Sequence, residues 1–327
     1  MSRAPGTNPA AHAPLPPLHL VALDGTGPED VVFDHSGRVL TGVADGRILR
    51  IELPSRDRPD QPALVREVGR TGGRPLGLEV LPDGRLLVCD AQLGLLRLDP
   101  DSGDHGIEVL ADSVAGAPLR FCSNAVAASD GTVYFTVSSR RYGLDDWLSD
   151  IVERDPTGLL VRLAPGGEPE VLLDGLQFAN GAALAPDESY VVVAETGAWR
   201  LTRLWLTGPD AGRRDTLTAD LPGFPDNLSR SPSGGFWAAL AGPRMPPLEW
   251  LHRASLPVRR AAAATARRLP APPPRAARVA EVDVDGRVIR ELRVRGRQYR
   301  MATSVAEYDG RLVIGSLVEG TIAWCDL

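Results

Sequence analysis

Short apolar runs and tight polar turns alternate along this chain, and six of these units share one form. They are FDHSGRVL (33–40), LPDGRLLV (81–88), ASDGTVYF (128–135), APDESYVV (185–192), RSPSGGFW (230–237) and EYDGRLVI (307–314). Each reads as a β-hairpin, an apolar strand on either side of an Asp-Gly or similar turn. The turn positions Ser36, Asp83, Asp130, Asp187, Ser233 and Asp309 follow one another at steps of 47, 47, 57, 46 and 76 residues. Between the hairpins lie further strand-like runs: GRILRIEL (46–53), LGLLRLD (93–99), GLLVRLA (158–164), LTRLWL (201–206) and GRVIREL (286–292). A repeat of about 45 residues that supplies about four strands is the mark of a propeller blade. The pattern therefore predicts an all-β fold, a six-bladed β-propeller, in which equivalent residues of successive blades meet at a central channel.

Two repeats are oversized. One contains SSRRYGLDDWLSDIVERDPTG (138–158), a polar excursion with aromatic residues. The other holds residues 242–276, a helical and Pro-rich insertion expected between blades 5 and 6. Its Ala/Arg run at 259–268 favours a helix and the Pro cluster that follows ends it. Long insertions of this kind serve as lids over binding sites or as solvated surface elements, and the Arg-rich face also suits an anionic surface. Residues 1–17 read as a disordered leader and 18–327 as one propeller.

Composition narrows the classes. Hydrophobic residues make up 43% of the chain and charged residues 24%, as in an ordinary globular protein. The net charge of −6 gives no basic footprint for nucleic acid. All 36 cationic side chains are Arg, which reflects coding bias rather than function. No apolar run reaches membrane-spanning length and the first residues lack a signal-peptide core, so there is no strong membrane signal and the expected location is cytoplasmic. Three cysteines, Cys89, Cys122 and Cys325, argue against a disulfide framework. The oligomeric state is not legible.

Counting back six or seven residues from each turn reaches the start of the hairpin's first strand. The residues there are Glu29/Asp30, Gly77, Asn124, Asn180, Asp226/Asn227 and Thr303. If that strand is the innermost of its blade, these side chains gather at one level of the channel, and Gly77 leaves room for a substrate. Buried carboxylates at close range require a counter-ion. The set is all oxygen, with neither His nor Cys, and Arg is absent from the aligned spot. Hard oxygen donors of this type select Ca²⁺ over Zn²⁺. Each Asn or Asp alone is as well explained by turn chemistry; the register across several blades is what singles them out.

The segments GPEDVVFD, FCSNAVAASDGTVYFT, LLDGLQFANGAALAPDES, LPGFPDNLSRSPSGGFWAAL and SVAEYDGRLVIGSL resemble the strictosidine-synthase-like proteins, within the wider group of gluconolactonase, regucalcin and paraoxonase propellers. The resemblance runs from about residue 20 to the end. It implies a calcium held by Glu29, Asn124, Asn180 and Asp226, with Asn227 as a further ligand, and hydrolysis of lactones or esters. Three departures qualify it. Thr303 stands where strictosidine synthase carries its catalytic Glu, which argues against that condensation. Val137 replaces an Asp of many relatives. The five His residues, His12, His19, His35, His105 and His252, give no counterpart to the paraoxonase His pair.

The expectation is thus a calcium-dependent hydrolase of a small-molecule lactone or ester. Asp226 is the candidate general base and Glu29 the next. Phe178, Phe224, Trp147 and Trp250 are candidate walls of a substrate cavity, with core packing the alternative for the two Phe residues. Arg74 is a candidate for a substrate carboxylate, or a strand-end cap, and Thr303 lies at the substrate side of the ring. The alternative activity is a non-hydrolytic step of natural-product metabolism, a condensation or cyclisation in the same channel. A third reading is a scaffold that binds a partner through its rim.

Overall fold

Apolar residues at neighbouring positions of one strand face opposite ways, and here both faces are buried. In blade 2, Leu86 and Val88 pack with Leu40 and Ile48 of blade 1, whereas Leu87 and Cys89 pack with Phe135 and Val161 of blade 3. Six such clusters fill the six gaps between blades. This is why the strands read as continuous apolar runs rather than as a clean alternation. The computed structural model describes residues 11–102, 106–267, 277–294 and 298–327, and its strands form six blades in a ring.

The inner strands are Val31–Phe33, Pro75–Val80, Cys122–Ala127, Ala179–Leu184, Gly223–Arg230 and Ala302–Tyr308. Each packs on the next, and the last returns to the first. His19–Ala22 closes the ring by pairing antiparallel with the last strand, Thr321–Asp326, of blade 6. Part of the segment expected to be a disordered leader is structured: Ala11–Pro14 runs parallel to Val288–Arg293 at the outer edge of blade 5, and Leu15 is buried. Edge pairing satisfies backbone groups that a free edge would leave open. Residues 1–10 lie outside the described residues.

The larger insertion lies inside blade 5 and not between blades 5 and 6. It joins the second strand, Phe236–Pro243, to the third, Arg278–Val282. The turn signal marks only the first hairpin of a blade, so residues added to any later connection lengthen the same step. The 138–158 excursion occupies the matching connection of blade 3. It forms helix α1 (Trp147–Glu153); the insertion forms α2 (Pro246–Leu251) and α3 (Leu256–Ala266). The Pro cluster expected to end α3, and His105, lie outside the described residues.

α1 and α3 pack together. Arg259 Nη1 donates to the Glu153 and Arg154 carbonyls, and Arg260 and Arg267 pair with Asp155 and Asp146 at 3.1 and 2.9 Å. Ile151, Trp147 and Leu248 meet Leu76, Phe121, Phe178 and Phe224 in a seventh apolar cluster. The last four lie where inner strands begin, so the two excursions form a cap over that end of the channel.

The inner strands approach one another at backbone distance. A Cβ at Gly77 would sit 2.5 Å from Asn124 Cα and from the Ser123 carbonyl, and one at Gly181 2.3 Å from the Leu228 nitrogen. Gly77 therefore admits the neighbouring strand, not a substrate as expected, because the missing side chain's volume is already filled by blade 3. Gly77→Ala should move the Asn124 strand and cost about 1–3 kcal/mol; thermal unfolding that shows no change would refute this packing account.

Candidate functional site

In blades 2 to 6 each ring residue sits at an irregularity in its strand, whereas Glu29 and Asp30 precede the inner strand of blade 1. The pairing of inner to second strand shifts between Pro75 and Leu78, Cys122 and Ala125, Ala179 and Ala182, Pro225 and Leu228, and Ala302 and Ser304. Gly77, Asn124, Asn180, Asp226/Asn227 and Thr303 fall inside these interruptions. A bulge releases a residue from the ladder and re-aims its side chain. Buried hydroxyls stitch the released backbone: Thr136 Oγ1 accepts from Asn124 N at 3.1 Å and donates to the Asn180 carbonyl at 2.6 Å, and Thr41 donates to the Asp30 carbonyl at 2.6 Å.

The side chains so placed form two hydrogen-bonded groups, one around Asn227 and one around Asn180. Asn227 Nδ2 donates to both Glu29 oxygens at 3.1 Å. Asn124 Nδ2 donates to Asn227 Oδ1 at 3.1 Å and to Asp30 Oδ2 at 3.3 Å. Asn180 Nδ2 donates to Asp226 Oδ1 at 2.6 Å, and Ser123 donates to Asn180 Oδ1 at 3.2 Å. Glu29, Asp226, Asn124, Asn180 and Asn227 are all buried. The structure brings these five predicted residues together.

The third carboxylate, Asp30, was noted in the register but not chosen as a ligand. It serves the walls: its oxygens accept from Val31 N at 2.9 Å and Leu78 N at 2.8 Å. Among the described residues no three His, Cys, Asp or Glu side chains converge as a metal cluster. Any cation here must use the carboxamides as well.

Electrostatics follow from burial. Glu29 is pushed well above the usual carboxylate range by desolvation and then by Asp226 and Asp30, against the pull of Arg74 and the Asn227 bond. Asp226 is raised to about 8, chiefly by burial, with the Asn180 bond opposing. Asp30 is raised to about 7 by burial, opposed by the Leu78 and Val31 amides. Three buried carboxylates thus face one buried guanidinium. Added positive charge would favour their ionised forms, and the oxygen donors present fit a calcium ion.

The remaining candidates fall elsewhere. Arg74 is 6% exposed and donates to the Gly27 and Pro75 carbonyls at 2.9 and 3.2 Å; its fork is engaged by backbone and so does not reach out to a substrate carboxylate. Thr303 donates to the Glu29 carbonyl at 2.6 Å and fixes that backbone. Phe178 and Phe224 join the cap cluster, with Trp147 packed beside them. Trp250 is 72% exposed, on the side of α2 opposite Leu248, and does not line the channel. Val137 is core. The part of the channel beyond Asp30 and Asn124 holds a cavity of about 190 Å³ that reaches Glu79 and Arg230.

Comparison with known proteins gives a consistent picture. A family model described as Strictosidine synthase matches residues 124–209, and one described as Strictosidine synthase-like, N-terminal, matches 15–51; together these hold Glu29, Asn124 and Asn180. The adipocyte plasma membrane-associated protein of Salmo salar is 40% identical over 229 residues, 68% of this chain and 55% of that protein. The match therefore spans about half of that relative. A gluconolactonase from Xanthomonas campestris superposes with a TM-score of 0.66 at 18% identity, covering 95% of this chain and 89% of that one. The calcium-binding protein regucalcin from Agrobacterium tumefaciens does so at 0.60 and 14%, covering 93% and 94%. At such identities the superpositions establish the fold alone. Among the described residues no helix is long and apolar enough to cross a membrane. The chain is a strictosidine-synthase-like protein with the six-bladed propeller of the gluconolactonase and regucalcin group.

Proposed function

We propose that this protein is a calcium-dependent hydrolase of small lactones or esters, acting at the capped end of the channel. One observation carries the reading: Glu29 and Asp226 are buried within a mesh of Asn side chains, and the carboxylates there outnumber the single buried guanidinium. The names borne by the similar structures, a gluconolactonase and a calcium-binding regucalcin, support it. Glu29, Asn124, Asn180, Asp226 and Asn227 would hold the ion, which supplies positive charge for a carbonyl oxygen.

The chain's own residues do the rest. Asp226 takes the proton of the attacking water, and its orientation is set by the 2.6 Å bond from Asn180. Asn227 grips both oxygens of Glu29 and keeps that carboxylate facing the ring. The apolar cap cluster around Phe178, Phe224 and Trp147 excludes water and offers a wall to the substrate's carbon skeleton. The insertion then acts as the lid. The strictosidine-synthase match keeps a second reading, a non-hydrolytic ring closure in the same channel; Thr303, bonded to backbone, leaves that route without a base at its position.

Asp226→Asn should lower kcat by about 10²- to 10⁴-fold, the range for loss of a general base, while the chelated protein keeps its melting temperature. A panel of lactones and aryl esters with calcium checks this, and unchanged kcat would remove Asp226 from the mechanism.

The pH dependence of the metal-free protein has a definite sign. Unfolded carboxylates release their protons near pH ~4, whereas Asp30 and Asp226 in the folded chain hold them up to about 7 and about 8. Within that window the native state binds more protons, so its stability falls as pH rises. Melting temperatures in chelator should therefore drop between pH 5 and pH 8, and calcium at pH 8 should restore them. A flat profile that calcium leaves untouched would contradict the site.

A further inference from the structure

Between the outer strand of blade 2, Ile107–Ala111, and the inner strand of blade 3, Cys122–Ala127, the chain makes an extra hairpin that is part of neither blade. Ser113–Val114 pairs with Ala117–Pro118. Ala115 and Gly116 turn it with φ of 50° and 76°, the left-handed pair that suits a two-residue hairpin turn. The Leu119 amide donates to the Asp112 carbonyl at 2.7 Å and closes the hairpin's foot. Against blade 3 the hairpin encloses a cavity of about 370 Å³. At ~30 Å³ per water this is room for about a dozen waters, and it falls within the roughly 300–1,000 Å³ of small-molecule sites.

The floor of this cavity is apolar and its rim carries one spare charge. Val114, Leu119, Val137 and Leu159 form the floor; all four are buried and belong to the core cluster between blades 2 and 3. Ala117 and Pro118 of the hairpin and Val171 of the fourth strand of blade 3 supply the sides. Three charged groups line the cavity: Arg120, Arg140 and Asp174. Arg140 and Asp174 pair at 2.7 Å, and Arg140 Nε also donates to the Thr157 carbonyl at 3.1 Å. Arg214, whose Nη1 reaches the Asp174 carbonyl, pairs with Glu195. Asp112, at the hairpin's foot, accepts from Ser113 and does not line the cavity. Arg120 is exposed, and among the described residues no carboxylate lies within ion-pair reach of it. Leu119 faces the cavity and Phe121 joins the cap cluster, so the segment between them separates the cavity from the channel.

We propose that this cavity binds a medium-chain carboxylate, its hydrocarbon chain held between the hairpin and blade 3 and its head on Arg120. The side chains of the floor are hydrocarbon and give a polar body no partner, so they favour an apolar one. The free guanidinium at the rim favours a negative head, and its planar fork matches a carboxylate. Because Arg140 is already neutralised by Asp174, one head group and not two is called for. The volume sets the chain at medium length. The site lies outside the ring and needs neither metal nor turnover, so the inference does not rest on the hydrolase reading.

The test is titration of the full chain, in chelator, with octanoate, hexanoate, acetate and octanol, followed by calorimetry and methyl-resolved NMR. Octanoate should bind and acetate should not. Each buried methylene tightens binding about three- to fourfold, so octanoate should bind about tenfold more tightly than hexanoate. Arg120→Gln alters an exposed side chain and should leave the melting temperature unchanged. It should weaken octanoate about fivefold, the upper end for an exposed ion pair, and leave octanol as it was. Ala117→Glu puts a like charge on the wall and should weaken octanoate more than octanol. The methyl signals of Val114, Leu119, Leu159 and Val171 should shift on titration. Absence of octanoate binding overturns the proposal, and so does equal octanoate affinity in Arg120→Gln or a flat chain-length series. Shifts confined to Leu76, Ile151 and Leu248 place the ligand in the capped channel and overturn it as well. Failure here leaves the hydrolase reading standing, and failure of the hydrolysis panel leaves the octanoate result standing.

Discussion

Burial of both faces of every blade is the constraint on which this structure depends. A blade such as Leu86–Asp90 with its neighbours has apolar side chains on two sides and no face fit for water. It is stable only when flanked, so the ring must close, and His19–Ala22 completes the last blade to close it. Closure brings the inner strands to backbone contact, where Gly77 and Gly181 accept the adjoining strand. That contact sets the ring side chains at one level.

The site is built against the same low-dielectric background that stabilises the blades. Glu29, Asp30 and Asp226 lose hydration on folding, and burial is the first cause of the raised titration of each. Carboxamides moderate this cost: Asn227 binds both oxygens of Glu29, and Asn180 binds Asp226. Arg74 supplies the nearby positive charge from a position enclosed by backbone carbonyls. The bulges that interrupt the inner strands give up ladder bonds to aim these groups inward, and Thr41 and Thr136 recover part of that loss. The arrangement spends stability where charge can be gathered.

The two long connections divide the molecule's ends into different kinds of surface. One end carries the tight hairpin turns. The other carries α1, α2 and α3, joined by ion pairs and by the apolar cluster over the channel. Trp199 of blade 4 sits against Arg154 and Arg244 of the two excursions and against Phe224 of blade 5. The cap is therefore held on the ring by this turn of blade 4 and by the apolar cluster with Leu76, Phe121, Phe178 and Phe224.

The amino-acid sequence alone determined the six-fold repeat, the position of each first hairpin and the alignment of Glu29, Asn124, Asn180, Asp226 and Asn227, because turn chemistry and strand period are local properties. It also marked the helix-prone run that becomes α3. Other features rest on contacts between residues distant in the chain, and only the tertiary structure decided them. Arg74 is enclosed by Gly27, 47 residues away, and is thereby withdrawn from substrate. Asp30 is turned to the Leu78 amide of the next blade. Trp250, two residues beyond the inward Leu248 on the same helix, is left in solvent. The insertion belongs to blade 5 because its flanking strands pair with each other. Trp199, His252 and Arg259 come together from blade 4 and both parts of the insertion, and no periodicity in the chain relates them, since their meeting depends on how the cap folds back across the ring.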